Sequence, residues 1–242
     1  MSNIVGIIPA RGGSVGVPLK NIKMLNGLPL ISYTINSAIE SNCLDRIIVS
    51  TDHEEISNVA QDFGAEVPFK RPADISEDVD TEYVLKHAIN YLEKEENYAI
   101  DAIVLLQPTS PFRSADTIKK CVELYKNNTD ADSVVSINNI EGNRPEWMLS
   151  LNEKNKIKPY NTPFFDGDDP VIKLAARQSF PKLYRQNGVV YVTKRDLIMN
   201  KTLVIGPSSY AVVTTEKEAI DIDTQTDFLI AEAIMSPKND TM

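Results

Sequence analysis

The stretch Ile4-Val5-Gly6-Ile7-Ile8-Pro9-Ala10-Arg11-Gly12-Gly13-Ser14-Val15-Gly16-Val17-Pro18-Leu19-Lys20-Asn21 decides how the rest of the chain is read. Its first six residues carry no charge and no polar side chain, as a strand buried on both faces of a parallel sheet requires. Gly12, Gly13 and Gly16 then let the backbone approach an anion closely, and turned N–H groups form a concave nest for phosphate oxygens. Arg11 and Lys20 bring positive charge to the same loop. The spacing is neither G-x-x-x-x-G-K-[ST] nor G-x-G-x-x-G, so the P-loop and dinucleotide readings fail. An ordinary strand-to-helix turn with solvated charges would not need the glycines together with Arg11, Lys20 and Asn21.

Outward from this loop, short apolar runs alternate with amphipathic stretches, the pattern of a mainly parallel sheet with helices on both faces. Leu30 to Ser41 carries Ile31, Ile35, Ala38 and Ile39 at a helical period. Arg46 to Ser50 is a second strand, ending at Thr51-Asp52. Helix signals follow over Glu54 to Phe63, then an extended Glu66 to Phe69. A longer helix over Asp80 to Glu95 has Val84, Leu85, Ala88, Ile89 and Leu92 as its stripe. Ala102 to Leu106 has no polar member and belongs at the centre of a sheet. Ile118 to Tyr125 reads as helix, Ser133 to Ile137 and Gly188 to Val192 as strands, and Thr224 caps a closing helix to Met235. Residues 1–242 therefore form a single three-layer α/β/α domain. The pattern breaks only from Asn138 to Pro181, which is polar, proline-punctuated and aromatic, and too long for a plain connection. Such a segment is a functional flap or an arm that packs on a partner subunit.

Composition excludes several classes. Of 242 residues, 42% are hydrophobic and 24% charged, enough for a proper core in an ordinary soluble domain. Twenty-five Lys and Arg against 34 Asp and Glu leave a net charge of −9, which excludes a nucleic-acid binder with a basic face but not an enzyme that holds an anionic nucleotide locally. Cys43 and Cys121 read as buried, reduced thiols, and His53 and His87 as structural. The first apolar run is too short for a secretory signal, and none approaches the roughly 20 apolar residues of a membrane span. The expected location is the cytoplasm.

The loop closely resembles the I-P-A-R-x-G-S-K-G-[IL]-P-x-K-N signature of the CMP-sialic acid synthetases (acylneuraminate cytidylyltransferases). Further stretches resemble that family in order. They are Ile47-Ile48-Val49-Ser50-Thr51-Asp52, followed by Arg71-Pro72-Ala73; Leu106-Gln107-Pro108-Thr109-Ser110-Pro111-Phe112-Arg113; Arg185-Gln186-Asn187-Gly188; and Ile220-Asp221-Ile222-Asp223-Thr224. The resemblance runs from Ile4 to about Ala231. It implies nucleotidyl transfer from CTP to the anomeric hydroxyl of a nonulosonic acid, in a homodimer whose arm at about 138–181 walls the sugar site.

Residue roles follow from the same resemblance. Ala10, Arg11, Gly12, Gly13, Ser14 and Asn21 would hold the nucleotide, with Arg71 and Thr81 at its cytidine part. Lys20 joins Arg11, Asp221 and Asp223 as the catalytic set. Gln107, Arg177 and Arg185 would meet the sugar acid, since an arginine fork suits a carboxylate or a phosphate. Asp221 and Asp223 are Mg²⁺ ligands in the family. Their alternation on an extended segment sends both carboxylates one way, and hard oxygen donors suit this ion. The competing reading is that one of them caps the final helix.

Two departures bear on function. Val15 stands where the family carries lysine, and Trp147 occupies a neighbourhood where users of N-acetylneuraminic acid place one. The latter favours a modified acid such as legionaminic or pseudaminic acid. Among alternatives, the eight-carbon Kdo cytidylyltransferases favour R-x-x-S-x-R-x-P-G-K-P, which is absent. Sugar-1-phosphate pyrophosphorylases open with a different glycine spacing. A non-catalytic nucleotide-binding derivative would not need Arg11, Lys20, Asp221 and Asp223 together. A cation facing the leaving phosphates should bind the transition state at least as well as CTP. Val15→Lys is therefore expected to raise kcat/KM for CTP in steady-state assays. A folded variant with lower activity would withdraw the assignment of this loop to the phosphates.

Overall fold

A computed structural model describes residues 3–14, 16–77, 79–140, 142, 144–160 and 181–236. Val15 and Arg177 lie outside the described residues. The chain divides into two compact units, Met1–Ile137 with Gln186–Met242, and Asn138–Arg185.

The larger unit is built on a six-stranded sheet. In chain order its first elements are β1 (Ile4–Pro9), the short hairpin β2 (Met24–Leu25) and β3 (Leu28–Pro29), α1 (Leu30–Ser41), β4 (Arg46–Ser50), α2 (Glu54–Asp62) and α3 (Thr81–Lys94). Then come β5 (Ala102–Leu105), α4 (Ala115–Asn127) and β6 (Ser133–Asn139). After the smaller unit's strands β7 (Leu149–Leu151) and β8 (Ile157–Pro159), the chain continues through β9 (Tyr184–Lys194), β10 (Ser209–Val213) and α5 (Gln225–Met235). The sheet order is β10-β6-β9-β5-β1-β4. β1 pairs parallel with both β4 and β5, β10 pairs parallel with β6, and β9 runs antiparallel to β5. The sheet is thus mainly parallel, with one reversed strand that periodicity alone does not reveal.

Alternation along β1 sorts the core into two layers. Ile4 and Ile8 face Ile31, Ile35 and Ala38 of α1, Ile56 and Ala60 of α2, and Ile118, Cys121 and Val122 of α4. Val5 and Ile7 face Leu85, Ala88, Ile89 and Leu92 of α3. A strand buried on both sides has no room for a polar residue, which is why the first six residues read as they do. Cys121 is fully buried, and burial pushes its thiol up to about 12; Cys43 is partly buried and donates to Ser41 Oγ at 3.3 Å. No helix among the described residues is long and apolar enough to cross a membrane.

A third, smaller core joins the two ends of the sequence. Leu25 and Leu30 pack with Ile222, Phe228 and Ala231. Thr224 caps α5 as expected, accepting from the Asp227 N–H at 3.3 Å while the Asp227 carboxylate accepts from the Thr224 N–H at 2.8 Å. The glycine loop runs so close to this segment that a Cβ on Gly16 would lie 2.4 Å from the Asp223 carbonyl oxygen.

In the smaller unit, β7 and β8 form an antiparallel hairpin with Leu151 opposite Ile157. Asn155 turns it in the left-handed region (φ 58°), and Asn152 Oδ1 accepts from the N–H groups of Lys154 (3.0 Å) and Lys156 (2.9 Å). Leu151, Ile157 and Tyr160 are 65%, 54% and 74% exposed, so the hairpin leaves apolar surface uncovered.

Gly16→Ala should cost about 1–3 kcal/mol in urea denaturation, because the added methyl meets main chain that cannot rotate aside. An unchanged midpoint would mean that the loop moves away from Asp223 freely.

Candidate active site

The loop after β1, the end of β5, the segment leading into α3 and the segment before α5 converge on one cavity of about 350 Å³. This is the carboxyl end of the central parallel strands, where open α/β sheets bind ligands. Of the residues singled out from the sequence, Arg11, Ser14, Lys20, Asn21, Arg71, Thr81, Gln107 and Asp223 line it. Ala10 does not, being wholly buried beneath the loop. Arg185 belongs to the smaller unit, where its Nε donates to Asn138 Oδ1 at 3.4 Å.

The loop is anchored from both sides. Gly12 N–H donates to Asp52 Oδ1 (2.9 Å), and Asn21 Nδ2 donates to the Arg11 carbonyl (2.9 Å). A Cβ on Gly12 would meet the His53 ring at 2.8 Å, so only glycine fits against that wall. Ser14 N–H donates to the Gly12 carbonyl at 3.0 Å. The expected nest of N–H groups is therefore closed at Gly12 and Ser14, whose donors already serve the loop's own conformation. The Gly13 and Gly16 N–H groups remain without a bond inside the protein among the described residues. Leu19, in the left-handed region at φ 47°, turns the chain so that Lys20 points back across the loop.

Lys20 joins the loop to the aspartate segment. Its Nζ donates to the Ile222 carbonyl at 2.8 Å and to Asp223 Oδ1 at 3.1 Å. Asp221 lies beside Thr109, whose carbonyl accepts from the Ile222 N–H at 2.9 Å. Burial raises the Asp221 carboxyl above the usual range, with the Thr109 hydroxyl opposing the rise and the Asp223 charge adding to it. Asp221 and Asp223 flank the buried Ile222, and of the two carboxylates Asp223 lines the cavity while Asp221 does not. No cluster of three or more metal-type ligands occurs among the described residues, but Mg²⁺ commonly takes one or two protein carboxylates and completes its shell with water and phosphate. This pair fits that donor set.

Two arginines lie beneath the cavity. Arg71 is 4% exposed; its Nε donates to Ser50 Oγ at 3.1 Å, and its Nη2 to the Ser50 carbonyl. Burial pushes its guanidinium down to about 10, with Asp52 pulling it back up and Arg11 adding to the fall. Arg113 is also 4% exposed and bonds to main chain and to a hydroxyl. His53 and His87 stay outside the cavity lining. Their Nδ1 atoms are buried without hydrogen-bond partners among the described residues, and His87 packs edge-on against Phe69 at 4.7 Å.

Sequence reasoning missed Asp52, Thr109 and Arg113 as supports of the site. Thr109 and Arg113 sit inside a quoted motif, but a hydroxyl and a cation show no partner until the fold brings Asp221, Thr34 and Val189 beside them. The Ile75, Glu77 and Val79 wall was missed too, because it comes from irregular chain before α3.

A second cavity of about 310 Å³ is lined by Thr81, Glu82, Leu105, Gln107, Gln186, Tyr191, Leu203, Val204 and Ile205. It shares Thr81 and Gln107 with the first. Burial raises the Tyr191 hydroxyl above its ordinary value, and a bond from the Gly188 N–H acts against this.

Residues 5–234 match the family model described as Cytidylyltransferase. A CMP-N,N'-diacetyllegionaminic acid synthase of Legionella pneumophila is 36% identical over 239 residues, covering 96% of both chains. An enzyme of the same name from Campylobacter jejuni is 34% identical, covering 99% of this chain and 97% of its own. An N-acylneuraminate cytidylyltransferase of Escherichia coli is 32% identical over 98% of this chain and 53% of its own length. In solved structures, a CMP:2-keto-3-deoxy-manno-octonic acid synthetase complexed with CTP superposes with a TM-score of 0.70 at 16% identity, covering 97% of this chain and 98% of that one. That likeness establishes the shared fold. With the family model spanning the sheet, the loop and both aspartates, the chain belongs to the cytidylyltransferase family.

Proposed function

We propose that this enzyme transfers the cytidylyl group of CTP to the anomeric hydroxyl of a sialic-acid-like nonulosonic acid, giving the CMP-sugar and pyrophosphate. The observation that carries the reading is the pair of cavities meeting at Thr81 and Gln107. One has cations suited to a triphosphate. The other has an apolar wall and a few polar groups, suited to a sugar acid with acyl substituents.

In this reading Arg11, Lys20, Ser14 and Gly13 hold the triphosphate, with Asn21 keeping the loop in shape through Arg11. Arg71 and Thr81 meet the cytidine part. Gln107 orients the sugar acid, and Arg177 and Arg185 are the candidates for its carboxylate. The sugar hydroxyl oxygen bonds to the α-phosphorus while the bond to the β-phosphate oxygen breaks, so the chain's work is alignment and charge neutralisation. Asp221 and Asp223 would hold Mg²⁺, which when bound supplies neutralisation and polarisation of the phosphate oxygens. Relatives named for legionaminic acid, together with Trp147 in place of a cation, support a legionaminic- or pseudaminic-type acceptor over N-acetylneuraminic acid. The uncovered Leu151, Ile157 and Tyr160 support a homodimer formed through the smaller unit. CTP as donor supports a cytoplasmic location.

Pyrophosphate release with CTP and a panel of legionaminic, pseudaminic, N-acetylneuraminic and Kdo acids tests the reading. The highest kcat/KM is expected for one of the first two. Preference for N-acetylneuraminic acid would overturn the acceptor assignment, and release with none would overturn the function. Asp223→Asn should keep its thermal midpoint, lose turnover on the order of 10²-fold (~3 kcal/mol of barrier) and need more Mg²⁺ for half-saturation. An unchanged Mg²⁺ requirement would make Asp223 only the partner of Lys20. In sedimentation equilibrium, Leu151→Glu should shift the protein from dimer to monomer; an unchanged mass would remove the hairpin from the interface.

A further inference from the structure

Arg113 is as deeply buried as Arg71, and the proposed transfer gives it no task. Its guanidinium reaches three elements at once. Nε donates to the Val189 carbonyl on β9 (2.5 Å), Nη1 to Thr34 Oγ1 on α1 (2.8 Å) and Nη2 to the Gln107 carbonyl just past β5 (2.6 Å). All three acceptors are neutral. Burial accordingly pushes the guanidinium down to about 9, with Asp221 drawing it back up. A rigid planar fork suits three acceptors at fixed directions, whereas a lysine ammonium could serve only part of the set.

The second observation concerns the residue next to Val189. Gly188 has φ 73°, and a Cβ there would lie 2.5 Å from Gln107 Oε1 and 4.0 Å from Ser110 Oγ. The Gln107 carboxamide thus occupies the space that a missing side chain leaves on β9, while its main chain is held by Arg113. One arginine fixes both sides of this fit, because Val189 and Gln107 are both its acceptors. Ser110 Oγ, buried without a partner among the described residues, lies in the same narrow gap and offers Gln107 no competing anchor.

We infer that Arg113 is a positioning residue for the acceptor half of the site, setting where Gln107 meets the sugar acid by clamping the end of β5 to β9 and α1. The inference rests on the proposed role of Gln107. It goes beyond that role by making acceptor recognition depend on a side chain that touches no substrate. The clamp also explains why Phe112-Arg113 must follow Gln107 at this interval. The turn Gln107-Pro108-Thr109-Ser110, closed by the Ser110 N–H on the Gln107 carbonyl (3.4 Å) and the Arg113 N–H on the Ser110 carbonyl (3.3 Å), brings the guanidinium back under its own strand end.

A double-mutant cycle on Arg113→Lys and Gln107→Ala tests this, with KM measured separately for CTP and for the acid preferred in the panel. Arg113→Lys is expected to raise the acceptor KM about tenfold and to change the CTP KM by less than about twofold. In the Gln107→Ala background, Arg113→Lys should add nothing to the acceptor KM, since the two act through one contact. Multiplying effects, or equal rises in both KM values, would overturn the inference and leave Arg113 a purely structural residue. An unchanged acceptor KM in Gln107→Ala alone would instead overturn the role given to Gln107. Should Arg113→Lys not fold, Thr34→Val removes one arm of the fork together with the long bond (3.5 Å) that the Thr34 hydroxyl donates to the Gln107 carbonyl, leaving the Nε and Nη2 arms in place. It should raise the acceptor KM about threefold, again only where Gln107 is present, and no rise would overturn the inference.

Discussion

The ammonium of Lys20 sits on the Ile222 carbonyl and beside the Asp223 carboxylate, and the geometry of the cavity depends on that contact more than on any other. Lys20 comes from the loop after the first strand, whereas Ile222 and Asp223 precede the last helix. The two hydrogen bonds are not equal. The Asp223 side chain is 71% exposed, so its attraction to Lys20 is screened and contributes about 0–1 kcal/mol. The Lys20 side chain is only 13% exposed, and a charged donor on a buried carbonyl is the stronger bond, about 1.5–3 kcal/mol. The main-chain contact therefore fixes the loop, and the carboxylate keeps most of its freedom to take a metal. Gly16 and Leu19 serve the same contact, the first by having no side chain to hold the loop off Asp223, the second by turning the chain at Lys20.

An acidic protein that binds a polyanion has to gather its cations, and this one does so partly by burying them. Arg71 and Arg113 are each held by hydrogen bonds to neutral oxygens, with Asp52 and Asp221 acting on them only from nearby. Burial lowers both guanidinium values, to about 10 and about 9, yet both stay protonated at neutral pH. The result is positive charge in the cavity wall at Arg71 and behind Gln107 at Arg113, on groups that cannot swing away. Surface lysines would give the same charge with less direction and at a larger entropic cost on binding.

Much of this was legible in the sequence. The apolar run Ile4 to Pro9 and the helix Leu30 to Ser41 are where periodicity puts them, because both bury their faces completely. β10 was not legible: Ser209 to Val213 is half-exposed at the sheet edge and follows a Gly-Pro-Ser stretch that reads as loop. The direction of β9 was hidden for another reason, since a strand buried on both faces looks the same in either orientation. At the site, residue types announced the glycines, the cations and the aspartates, whose chemistry is local. The supports were silent. Asp52 under Gly12, Thr109 beside Asp221 and Arg113 under Gln107 act through contacts between distant segments, so the motifs that contain them do not say what they support. The closing of the loop's own N–H groups at Gly12 and Ser14 could not be anticipated either, because it depends on one particular set of backbone angles.

The bond between Lys20 and the Ile222 carbonyl also has a meaning in time. It spans 202 positions of the chain. β1, β4 and β5 can align while a ribosome is still adding residues, since their partners lie within about the first hundred positions. The loop cannot be seated until the residues just before α5 have emerged and found Leu25 and Leu30. Closing so long a loop is slow but adds little to the entropic cost beyond that of a loop half its length. A nascent chain therefore carries the central strands β1, β4 and β5 with an unformed cavity, and its ability to hold a nucleotide arrives late and all at once.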